Sequence, residues 1–144
     1  MSRNINDIYN YDSNSQSYDL LVVQIKSDLN NNYVQIGWNN FFYATSSSCL
    51  DGKILSFILL PNNQIYIRIH GGRFLTVDNY GNLTIDFSGN VPSIFKLDKI
   101  DNMKYSILAP NGKYIGIGDY GRLIANQDDK AEDTVFKFRL VKYY

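Results

Sequence analysis

Phe74-Leu75-Thr76-Val77-Asp78-Asn79-Tyr80-Gly81-Asn82-Leu83 lies over Tyr114-Ile115-Gly116-Ile117-Gly118-Asp119-Tyr120-Gly121-Arg122-Leu123 without a gap. A third copy sits upstream, with Tyr33 in register with Phe74 and Tyr114 at spacings of 41 and 40 residues. Ile36, Val77 and Ile117 follow three residues later, then Asn40, Gly81 and Gly121 at a turn. Phe42, Leu83 and Leu123 come next, then Ala44, Ile85 and Ala125, and the segments close on Phe57, Phe95 and Phe136. Self-similarity at a period of about 40 residues marks repeated units that cannot bury their apolar faces alone. Tyr33, Phe74 and Tyr114 are therefore expected to be buried near a common threefold axis.

Within each unit the pattern is that of strands. Ile65-Tyr66-Ile67-Arg68-Ile69 and Phe136-Lys137-Phe138-Arg139-Leu140 alternate apolar and polar residues, which sends one face to a core and the other to water. The chain has 12 Tyr and 8 Phe, types that favour a pleated, half-buried surface. Helical spacing is sustained nowhere for three turns. Turn signals recur at Pro61-Asn62-Asn63, His70-Gly71-Gly72, Asn79-Tyr80-Gly81, Pro110-Asn111-Gly112 and Asp119-Tyr120-Gly121. Each repeat reads as four strands; in the third these are 105–108, 113–117, 123–125 and 135–141. Twelve short strands with tight turns predict an all-β sandwich or barrel, and closure about a shared axis removes exposed edges.

Gly112-Lys113-Tyr114-Ile115-Gly116-Ile117, Gly121-Arg122-Leu123-Ile124-Ala125 and Val135-Phe136-Lys137-Phe138 resemble the fascin and hisactophilin repeat. Gly72-Arg73-Phe74-Leu75-Thr76-Val77, Gly81-Asn82-Leu83 and Ile94-Phe95-Lys96-Leu97 are similar to it as well. The resemblance runs from about Leu20 to Tyr144 and implies a β-trefoil: three pseudo-repeats of four strands, forming a six-stranded barrel with a cap of three hairpins. The first repeat departs from the pattern, with Asn40 in place of the turn glycine and Asn30-Asn31-Asn32 before the aromatic residue. The domain reading is an Asn/Ser/Tyr-rich N-terminal tail over residues 1–18, followed by the trefoil over residues 19–144.

Composition excludes several functions. The 144 residues carry 14 Lys+Arg against 14 Asp+Glu. That balance gives no concentrated positive charge for nucleic acid. No apolar run approaches the roughly 18 residues of a membrane span, so membrane insertion is not expected. No basic segment followed by an apolar one marks a secretory signal, which fits a cytoplasmic or non-conventionally released protein. Cys49 is the sole Cys and His70 the sole His. Together they fall short of a structural zinc site, and no disulfide can form within the chain. No catalytic motif is present, so no catalytic residue, metal or cofactor is assigned and the protein is not expected to be an enzyme. Gly116-x-Gly118-x-x-Gly121 has the letters of a dinucleotide loop, but no helix follows to receive a pyrophosphate. Asp128, Asp129, Glu132 and Asp133 read as a solvated acidic loop without the ligand spacing of a calcium site. Asn82-Leu83-Thr84 is a glycosylation sequon.

What remains is recognition. Sugar binding needs an aromatic face for C–H contacts and polar groups for the hydroxyls. The turns supply Trp38 and Asn39 in the first repeat, Asp78, Asn79 and Tyr80 in the second, and Asp119, Tyr120 and Arg122 in the third. These are the candidate ligand-binding residues, although Asn, Asp and Gly are also what hairpin turns require. The reading is a small lectin or haemagglutinin-like module for a glycan or glycoprotein surface. The resemblance implies an alternative, actin binding, and a protein-binding component of a larger, toxin-associated complex is a further one. Neutral charge and a single His do not carry over the basic patches or pH switch that the actin reading would use.

Overall fold

The computed structural model describes residues 19–86 and 92–141. The tail assigned to residues 1–18 lies outside the described residues.

Among those residues the chain forms β1 (Asp19–Ser27), β2 (Tyr33–Ile36), β3 (Phe42–Ser46), β4 (Leu55–Leu59), β5 (Gln64–Ile69) and β6 (Leu75–Val77). It continues with β7 (Leu83–Ile85), β8 (Phe95–Asp101), β9 (Lys104–Leu108), β10 (Tyr114–Ile117), β11 (Leu123–Gln127) and β12 (Val135–Leu140). All pairings are antiparallel. β1 pairs with β4, β4 with β5, β5 with β8, β8 with β9, β9 with β12, and β12 back with β1. The barrel is thus closed by six strands and has no free edge. β2–β3, β6–β7 and β10–β11 are the three hairpins that cap it. The chain is a β-trefoil, as the family resemblance implied.

The core is built from repeat-related positions. Phe57, Phe95 and Phe136, the residues that close each segment, are fully buried. Phe42, Leu83 and Leu123 are buried in the same core, as are Val34, Leu75 and Ile115. Burying side chains of this size stabilises by about 1.5–3 kcal/mol each. Phe138 packs edge-on to Phe57 at 5.0 Å and stacks on Tyr105 at 5.3 Å, joining three barrel strands.

One expectation is corrected. Tyr33, Phe74 and Tyr114 are half-buried where the hairpins begin, and the core positions are the next residues, Val34, Leu75 and Ile115. The reason is the two-residue period of a strand. Ile36, Val77 and Ile117 pack on the core. A residue three positions earlier has the opposite parity and faces outward. The three aromatics instead find local partners. Lys26 lies over the Tyr33 ring, Tyr66 packs edge-on to Phe74, and Tyr114 donates to Asp98.

The hairpin roots repeat in detail. The register shifts between Tyr33 and Val34 and again between Tyr114 and Ile115, each shift leaving one extra residue, Thr45 or Asn126, on the second strand. Asn30 and Asn111 donate their side-chain amides to the carbonyls of Ala44 and Ala125, both at 3.0 Å. They also accept from the backbone N–H two residues on. These amides fasten the hairpins to the barrel.

Candidate functional site

The hairpin tips point away from the core and carry large rings. Trp38 is 97% exposed, Tyr80 83% and Tyr120 93%. Nothing in the packing requires a ring at these places. Each tip passes through a left-handed residue, Asn40 (φ 66°), Gly81 (φ 88°) or Gly121 (φ 80°). Asn tolerates that region, which explains how the first repeat dispenses with the glycine.

The second and third turns differ in construction. In the second, the Asp78 carboxylate accepts the backbone N–H groups of Tyr80 and Asn82, both at 2.9 Å, and the Asn82 side-chain amide at 3.2 Å. Asp78 therefore braces the turn, while Tyr80 and the exposed Asn79 stand outside it. Gly118 occupies the corresponding position of the third turn and brings no brace. That turn tightens into a 3-10 segment, Asp119–Gly121, in which Tyr120 itself adopts φ 59°, ψ 21°. A left-handed β-carbon costs roughly 1–2 kcal/mol. Asp119 is exposed and its carboxylate meets no described partner. In the first turn, Asn39 accepts from the Phe41 N–H at 3.1 Å and donates to the Tyr43 hydroxyl at 2.7 Å.

The tips lean on their neighbours, and this separates residues that are adjacent in sequence. Gly121 packs against Ala44 and Thr45, where an added β-carbon would meet atoms at 3.0–3.1 Å. Gly81 packs against Ala125 and accepts its N–H at 2.7 Å. Asn82 bridges to Ile124 and Arg122 to Tyr43. Arg122 consequently leaves its own turn and sets its guanidinium over Phe41 of the first hairpin, 5.8 Å from the ring centroid. The structure gathers Asn39, Phe41, Tyr43 and Arg122 into one patch. Phe41 and Tyr43 escaped notice in the sequence, although their parity, alternating with buried Phe42 and Ala44, marks them as outward-facing.

The sequence matches the fascin domain family over residues 42–138. The chain belongs to the fascin family. A designed threefold-symmetric protein, ThreeFoil, has a similar structure, with a TM-score of 0.68 and 13% identity over 81% of this chain and 96% of that one. Cry35Ab1 is similar with a TM-score of 0.66 and 14% identity, over 86% of this chain. The chain spans 36% of the Cry35Ab1 structure. At such identities the likeness concerns the fold alone. A search of curated protein sequences finds no match.

Other polar groups of this fascin domain are engaged in its architecture. Asp128 pairs with Lys113, and Asp133 accepts from the Ile117 N–H and from Gln127, both at 3.3 Å. Asp98 accepts the Tyr114 phenol at 2.8 Å, and Lys130 stands 3.7 Å from the same carboxylate. That hydrogen bond, then burial and the negative charge of Asp98, raise the Tyr114 pKa above the usual tyrosine value; burial alone raises that of Tyr105. Asn82 of the sequon is 7% exposed with its amide nitrogen held by Asp78. Gln24 is buried and donates to the carbonyls of Cys49 and Gly52, fixing the loop after β3. Among the described residues no group of three or more His, Cys, Asp and Glu side chains could hold a metal ion.

Proposed function

We propose that this fascin-family trefoil is a non-enzymatic recognition module whose hairpin crown binds glycans. The observation that carries the reading is the presence of Trp38, Tyr80 and Tyr120 at the three tips, each more than four-fifths exposed. Rings this large are normally spent on a core. Here they are held outward by turns whose backbones are fixed, and Tyr120 persists in a strained conformation that Gly would adopt freely. A ring so placed offers its face to the C–H groups of a sugar. Asn79 and Asp119 stand beside the rings as hydroxyl partners, and Asp78 holds the second turn in shape. Single shallow sites of this kind bind at about millimolar strength, near −4 kcal/mol. Several sites on one rigid body gain avidity on a multivalent surface.

A second reading is a protein partner, actin among the possibilities. Membership of the fascin family favours it, as does Leu50, which stands 90% exposed on the loop after β3.

The test is a glycan-array screen run beside filament cosedimentation. The crown reading expects array signals that vanish when Trp38, Tyr80 and Tyr120 are replaced by Ala in a chain with an unchanged circular dichroism spectrum. A blank array with binding to actin filaments would reverse the ranking.

A further inference from the structure

We propose that the junction of the first and third hairpins binds the carboxylate of an acidic sugar, with Arg122 as its anchor. The inference deepens the glycan reading and rests on it. Arg122 forms no ion pair with a described residue. Its guanidinium is half-buried against Phe41, and its Nε is shut away from water without an acceptor. A cation that has lost part of its hydration and gained no anion attracts one from solution. The planar guanidinium suits a carboxylate, which its two terminal Nη groups, the Nε edge being closed off, would bind through two parallel hydrogen bonds.

The surroundings suit a sugar. The Tyr43 hydroxyl, already accepting from Asn39, keeps its own proton for donation to a ring hydroxyl. Asn39, Phe41 and Tyr43 all come from the first hairpin, so the site exists only where two repeats meet. The pseudo-threefold relation sharpens the point. At the junction of the second and third hairpins, Asn82 takes the place of Arg122 and meets Ile124. That junction has no cation at the corresponding position, and the first hairpin carries Phe41 there, so the charged site is built once.

The 15N-labelled full chain is titrated with glucuronate, glucose and acetate at low ionic strength, and amide shifts are followed. Glucuronate is expected to move the amides of Phe41, Tyr43 and Arg122 and to bind at least about tenfold more tightly than glucose or acetate. Arg122→Gln should weaken glucuronate about tenfold or more, and Arg122→Lys, which keeps the charge but not the fork, should fall between. Arg68→Gln removes another half-buried Arg with an unpartnered Nε and should change nothing. Equal binding of glucose and glucuronate overturns the carboxylate assignment and leaves the glycan reading standing. Equal binding of acetate and glucuronate means an adventitious ion only and overturns it too. Shifts that map elsewhere, or that survive Arg122→Gln, do the same. If neither sugar moves any amide, this assignment falls, and the glycan reading is decided separately by the array.

Discussion

The Asn82 side-chain amide donates to the Asp78 carboxylate at 3.2 Å, and the same carboxylate receives two backbone N–H groups of the turn between them. A residue that reads as a sugar-binding acid from sequence is thus the keystone of a hairpin. Asp78→Ala is expected to destabilise the fold by about 2 kcal/mol, because it leaves buried donors of Asn82 unpaired. Urea denaturation of the variant measures it. An unchanged midpoint would show that the turn holds without the brace.

The core register makes an ordered pair of predictions. Leu75 is 1% exposed, whereas neighbouring Phe74 is half-buried against Tyr66 where its hairpin begins. Leu75→Ala should cost about 2–5 kcal/mol, as buried Leu residues do. Phe74→Ala should cost less, roughly 1–2 kcal/mol, since only part of its ring is removed from water. Equilibrium unfolding of the two variants decides the order. A larger loss at Phe74 would put the aromatic positions back in the core.

Tyr120 pays for its position in backbone strain. Tyr120→Gly should leave stability unchanged or raise it by up to about 1 kcal/mol, because relief of the left-handed strain is partly offset by the greater freedom of glycine when unfolded. On the crown reading the same variant should also weaken the array signal, two of the three tip rings remaining. Thermal melts together with the array screen separate the two effects, and a clear drop in melting temperature would argue that the ring serves the fold.

The Tyr114 phenol is held protonated by its hydrogen bond to Asp98, with burial and the Asp98 charge adding to the effect. Its pKa is higher folded than unfolded, so its contribution to stability is complete below the ordinary tyrosine value of about 10 and fades as pH rises through the folded value. Spectrophotometric titration should show Tyr114 and Tyr105 ionising late, and Asp98→Asn should bring Tyr114 alone back toward the ordinary range. Titration of Tyr114 unchanged by that substitution would assign the shift to burial.

Local chemistry was legible in the sequence. Alternation announced the strands, Asn and Gly announced left-handed turns, and the spacing of Phe57, Phe95 and Phe136 announced a core shared by three units. These features depend on one residue and its near neighbours, or on a repeat that copies them. The outward rings at 80 and 120 were legible for the same reason, since a turn tip has nowhere to bury a side chain, whereas Trp38 read equally as a core residue until the fold placed it at a tip.

The composition of the candidate site was decided elsewhere. Sequence order places Arg122 with Tyr120, yet the lean of the third hairpin across the first delivers it to Phe41 and Tyr43, far back in the chain. Asp78 and Asp119 look alike in their turns, but one is consumed by backbone amides and the other is left in solvent. Strand periodicity determines which residues face outward. Only the closing of the barrel, which fixes how the hairpins pack at its mouth, determines which outward residues become neighbours.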